Sequence, residues 1–125
     1  MTTWKKTWVL VVEDGATSRL MLAKQLRKMR FDVICARDGQ HALEIVDLCS
    51  PDCVLLDLVM PRMHGHEFLA NLREKEPDCP VIIMSAIGNQ PKLVEAISQM
   101  NIQGWLPKPI DPGEMAEKIL QVTSS

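Results

Sequence analysis

No block of like charge interrupts this chain of 125 residues, in which fourteen basic and sixteen acidic side chains are dispersed to a net charge of -2. That excludes a basic arm for nucleic acid, and no direct contact with DNA is expected. Long hydrophobic runs are missing as well. The apolar stretch at 8–12 stops at Glu13 and Asp14, too short for a signal peptide or a membrane span, so a cytoplasmic protein without membrane contact is expected. No C-x-x-C pair occurs among Cys35, Cys49, Cys53 and Cys79, which lie in or beside apolar segments. Free, mostly buried thiols are expected, and neither disulfides nor a zinc site. Linkers, low-complexity tracts and internal repeats are also lacking, so residues 1–125 are expected to form a single domain with its core in 8–122.

What is present is a regular alternation. The chain is 46% hydrophobic and 24% charged, an ordinary globular composition. Five short apolar runs, at 8–12, 31–35, 53–56, 81–84 and 102–106, recur about every 20 to 25 residues, and three are continuously apolar, as buried parallel strands are. Between them apolar residues keep helical spacing. The stripes are Leu22, Ala23, Leu26 and Met29; Ala42, Ile45, Val46 and Cys49; Phe68, Leu69 and Leu72; Leu93, Ile97 and Met100; Met115, Ile119 and Val122. Pro91 suits a first helical turn. The alternation predicts a doubly wound α/β fold of five strands and five helices, with a parallel sheet in the order 2-1-3-4-5 and helices on both faces. Strand 5 is then an edge, which tolerates Pro107.

Polar residues follow these strands at once: Glu13 and Asp14 after the first, Asp57 after the third, Ser85 after the fourth and Lys108 after the fifth. In a parallel sheet all of them lie on one edge, and strands 1 and 3 flank the point where strand order reverses, where such folds bind ligands. Three carboxylates crowded there repel one another, which raises their affinity for protons or calls for a cation. Mg²⁺ suits an oxygen-only site with no well-placed His or Cys, and it accepts phosphate oxygens readily. A carboxylate, such a cation, a lysine and a hydroxyl describe a place that receives a phosphoryl group on an aspartate, with the metal, Lys108 and Ser85 neutralising its oxygens. Each residue alone has a plainer reading. Glu13, Asp14 and Gly15 could be a capped turn, Asp57 a strand-end carboxylate, Ser85 a turn cap and Lys108 a solvated edge residue. Their joint placement at four strand ends favours the site. His64 and His66, two residues apart, do not share a helix face and read as exposed loop and helix start, while Met60 and Met63 flank the loop after Asp57.

The segments VLVVEDG, VLLDLVMPRMHG, VIIMSA and GWLPKPI stand in the order and spacing of a response-regulator receiver domain, and the chain resembles that CheY-like family over about residues 9 to 122. The resemblance implies a flavodoxin-like (βα)5 fold. It implies Asp57 as phosphoacceptor, Asp14 and Asp57 as direct ligands of Mg²⁺ (or Mn²⁺), Glu13 acting on the metal through water, and the backbone carbonyl of Val59 as a further ligand. Ser85, followed by the small Ala86, takes the place of the switch hydroxyl, Lys108 that of the lysine paired with the phosphoryl group, and the Lys108–Pro109 bond is expected to be cis. Trp105 departs from the pattern. The aromatic switch residue is usually Tyr or Phe, and an indole is larger with only an N–H donor, so the inward swing of relatives is not implied for it.

By the same resemblance the chain is a two-component signalling switch and not an enzyme. A histidine kinase or phosphotransfer protein would phosphorylate it. The face of helix 4, strand 5 and helix 5 would then change its affinity for a downstream protein, or for a second copy in a homodimer, and with no output domain in the sequence that protein is expected to be separate. Two other readings of the residues remain. A small aspartyl-phosphate phosphohydrolase usually needs a second aspartate two residues after the nucleophile, where this chain has Val59. A non-phosphorylated adaptor would have no use for the charge cluster. Val59 and Ile87 flank the expected path of an attacking water and are expected to slow loss of the phosphoryl group.

Overall fold

The structure, a computed structural model, describes residues 6–58, 65–86, 95 and 97–124. The elements are β1 (Trp8–Val12), α1 (Ala16–Lys28), β2 (Asp32–Ala36), α2 (Gly39–Leu48), β3 (Cys53–Asp57), α3 (Gly65–Lys75), β4 (Val81–Ser85), β5 (Gly104–Pro107) and α4 (Pro112–Thr123). All strand pairs are parallel and the order is β2-β1-β3-β4-β5, as the alternation predicted. β5 is an edge, and Pro107 sits at its last position, opposite Ser85.

Local chemistry explains the element boundaries. Asp38 accepts from the His41 N–H at 2.8 Å and caps α2, and Asp111 accepts from the Glu114 N–H at 3.1 Å to cap α4, with Pro112 in its first turn. β2 starts one residue later than the sequence suggested, and β5 two. The chain needs those residues to turn out of the preceding segments, with Arg30 (φ 70) and Asn101 (φ 61) in the left-handed region. Of the fourth predicted helix, residues 95, 97 and 98 are helical; Ile97 is buried and Met100 packs on the same core, while Pro91 and Leu93 lie outside the described residues. α4 is therefore the fifth predicted helix.

Strand alternation divides the core in two. Leu10, Val12, Val54, Leu56 and Ile83 pack against Ala42 and Val46 of α2 and Phe68, Leu69 and Leu72 of α3. On the other face Val9, Val11, Leu55, Ile82 and Met84 meet Leu22 and Leu26 of α1 and Met115 and Ile119 of α4. β3 is buried along its whole length. Each such Val, Leu or Ile contributes about 1.5 to 3 kcal/mol through its burial, so these two layers hold the sheet.

At the end of the sheet away from the carboxyl termini of the strands, Arg73 ties three segments together. Its guanidinium donates to the carbonyls of Glu76, Pro77 and Cys79 at 3.2, 3.3 and 2.7 Å, and to those of Met100 and Asn101 at 3.2 and 2.6 Å. All four cysteines are free. Cys53 and Cys79 are buried and Cys35 half-buried, but Cys49 is exposed because the chain leaves the core at the end of α2, which corrects the expectation of mostly buried thiols in its case. Among the described residues no helix is long and apolar enough to cross a membrane.

Candidate functional site

The strand ends bring four of the predicted residues into contact. Asp57 is the last residue of β3 and is 3% exposed, and Glu13, directly after β1, is 5% exposed. With Asp14 they form a cluster in which one carboxylate oxygen from each residue lies within 4.8 Å of the others. Lys108 reaches in from the end of β5, donating from Nζ to Asp57 Oδ2 at 2.8 Å. The neighbours β1 and β3 are where strand order reverses, so the fold itself delivers these groups to the crevice.

Ser85 ends β4 on the strand beside Asp57. Its hydroxyl donates to the Ala86 carbonyl at 3.2 Å, and its own carbonyl accepts the Lys108 N–H at 2.9 Å. The Lys108–Pro109 peptide bond is cis. Trp105 lies opposite Ile83, on the same sheet face as Ser85, half-buried against the α2/α3 core. Val59, the proposed carbonyl ligand, lies outside the described residues, as do Met60, Met63, His64 and Ile87, and nothing is assigned to the His66 side chain.

Burial sets the electrostatics. Desolvation, a hydrogen bond with Asp57 and the charge of Asp57 together push the Glu13 carboxyl from its ordinary 4.5 up to about 8; Lys108 and the Gly15 backbone pull the other way. Glu13 therefore keeps its proton at neutral pH, chiefly because it is buried. An oxygen-only donor set of this density fits a hard divalent cation.

The plainer reading of Asp14 as a helix cap does not hold. The N-cap of α1 is Gly15, and no side chain caps that terminus. Gly15 also comes close to the site: a Cβ there would meet Glu13 Oε1 at 3.1 Å. The residue that sequence reasoning passed over is Arg19, whose Nη1 donates to the carbonyls of Glu13 at 2.9 Å and Asp14 at 3.2 Å. No signal marked it, because its acceptors are backbone carbonyls, which every residue carries. Beside the site a cavity of about 320 Å³ runs from Glu13 and Lys108 between Ser18, Met21, Leu22 and Gln25 of α1 and Met84, Pro109 and Ile110.

A doubly wound parallel sheet with buried acidic groups and a lysine at its switch point defines an α/β domain built around a charged site at the strand ends. The chain belongs to the response regulator receiver domain family, which matches it over residues 9–120, and so to a domain class of two-component signalling. It is similar to the chemotaxis protein CheY of Thermotoga maritima, 31% identical over 116 residues that cover 92% of this chain and 96% of that protein. The probable transcriptional regulator ycf27 of Porphyridium aerugineum is 33% identical over 118 residues, 94% of this chain but 48% of that protein. The chain therefore spans about half the length of such ycf27 relatives. Among solved structures, CheY4 of Vibrio cholerae superposes with a TM-score of 0.86 at 26% identity, covering 94% of this chain and 99% of that one.

Proposed function

We propose that this chain is a single receiver unit that accepts a phosphoryl group on Asp57 from a histidine kinase or phosphotransfer protein. The observation that carries the reading is the buried Asp57 carboxylate, held 2.8 Å from Lys108 Nζ and facing Glu13 and Asp14. A carboxylate oxygen of Asp57 attacks phosphorus in line, the bond to the donor's nitrogen breaks and its electron pair stays on that nitrogen, leaving an acyl phosphate. Lys108 then pairs with a phosphoryl oxygen in place of the carboxylate. Ser85, at the adjacent strand end, donates its hydroxyl to another.

Asp14 and Asp57 would hold Mg²⁺ or Mn²⁺ directly, Glu13 through water and Val59 by its carbonyl, and the cation would neutralise charge on the phosphoryl oxygens. The acidic cluster supports this, with one carboxylate oxygen each from Glu13, Asp14 and Asp57 lying within 4.8 Å of the others. The altered charge would draw Ser85 inward and repack the face made by residues 95–103, β5 and α4, including Trp105. That change would alter affinity for a downstream protein or a second copy of the chain in the cytoplasm.

Incubation with acetyl phosphate and Mg²⁺, followed by intact mass, tests the assignment. One phosphate adduct, lost in Asp57→Ala, is expected; an adduct that survives the substitution places the acceptor elsewhere. Multiple turnovers of a phosphate ester would favour a phosphohydrolase instead.

A further inference from the structure

The backbone carbonyls of the segment between β1 and α1 gather on one residue. Three successive carbonyls all accept from Arg19: Glu13 at 2.9 Å and Asp14 at 3.2 Å from the guanidinium, and Gly15 at 2.9 Å from the Arg19 backbone N–H. The Glu13 N–H is fixed separately, donating to the Ala36 carbonyl of β2 at 3.1 Å. With the carbonyls drawn toward α1, the Glu13 and Asp14 side chains face the strand ends. No side chain caps α1; the Glu13 carboxyl bonds the Gly15 backbone, and the Arg19 guanidinium supplies the tie from the helix side.

We propose that Arg19 is the positioning residue of the acidic site, fixing the backbone of Glu13 and Asp14 so that both carboxylates stay turned toward Asp57. This rests on the phosphoacceptor reading for its link to Mg²⁺, but the positioning itself is a property of the metal-free chain. Its sign separates it from a simple charge effect. Removing a cation near three carboxylates tightens Mg²⁺ binding if only charge matters, whereas loss of positioning weakens it.

The test compares the wild type with Arg19→Gln in two measurements. In EDTA, amide hydrogen exchange at Gly15, whose N–H meets the Glu13 carboxyl, should quicken about tenfold in the variant while the β3 amides stay unchanged, since only the local turn is released. In a calorimetric titration with Mg²⁺ alone, the dissociation constant should rise about tenfold, the scale found when a group behind a metal ligand is lost. Unchanged exchange at Gly15, or Mg²⁺ bound equally or more tightly by the variant, overturns the proposal. A wild type that binds no Mg²⁺ refutes the metal reading, and the exchange comparison then decides the positioning by itself. Should Arg19→Gln not fold, the wild type answers alone: separate, slowly rotating Nη resonances for Arg19 are expected, and a single averaged signal overturns the proposal.

Discussion

Glu13→Gln should leave stability almost unaltered in mild acid and raise it in mild alkali. The folded carboxyl titrates at about 8 and the ordinary group at 4.5. Between those values the folded chain holds a proton that the unfolded chain releases. A group raised in the folded state contributes stability that is fully present below the unfolded value and is lost as pH rises through the folded one. The slope approaches about 1.4 kcal/mol per pH unit, and it integrates to roughly 3 kcal/mol between about pH 5 and pH 8. Gln has the shape of the protonated acid, so the variant lacks this slope. Urea midpoints for both proteins in EDTA, at several pH values across the window and with matched m-values, give the difference directly, and titrations elsewhere cancel in it. A difference that varies by less than about 0.5 kcal/mol across the window would refute the account, because extrapolation error alone is of that size.

Lys108→Met should destabilise the metal-free protein at neutral pH by about 1 to 3 kcal/mol, less than for a fully buried pair because the Lys108 side chain is 36% exposed while that of Asp57 is buried. Urea unfolding without and with Mg²⁺ measures it, and recovery on adding the cation is expected. Arg73→Met should cost about 2 to 4 kcal/mol by leaving five backbone carbonyls without their donor; an unshifted thermal midpoint would mean that water replaces the guanidinium freely. Burial pushes the Cys79 thiol up to about 11 and the Cys53 thiol higher still, whereas Cys49 is exposed. Iodoacetamide should therefore label Cys49 first, and reach Cys53 and Cys79 only as fast as the protein opens.

The strands were legible because period and length agree. β1, β3 and β4 are short, continuously apolar and covered on both faces, which fixes a parallel sheet, and Pro107 could stand only at an edge. Where each strand begins was not legible at β2 and β5. Phe31 and Ile102 are apolar and pack inward, so hydrophobicity continues through turns that only the left-handed backbone at Arg30 and Asn101 marks. Charge at the strand ends pointed to the contact among Glu13, Asp14, Asp57 and Lys108, since parallel strands share one carboxyl edge. Arg19 was not legible that way. It acts on carbonyls, which every residue carries, so the identities of its partners leave no trace in the sequence.

The proton on Glu13 has two kinds of cause, and they can be separated. Burial is the largest; the hydrogen bond and the charge of Asp57 come after it. Asp57→Asn removes the charge and leaves the burial, so the pH slope attributed to Glu13 should shrink but persist. The same urea series on Asp57→Asn, with and without Glu13→Gln, reads the remainder as a double-mutant cycle. A slope that disappears altogether would mean that repulsion between carboxylates, not desolvation, governs the site. The distinction bears on how the site responds when Asp57 changes its charge. If burial dominates, Glu13 keeps much of its proton affinity whatever Asp57 carries, and in the proposed reading the response falls on Lys108, whose ion pair with Asp57 at 2.8 Å would be the contact exchanged. If repulsion dominates, protons and charge at Asp57 move together, and pH alone would mimic part of the signal.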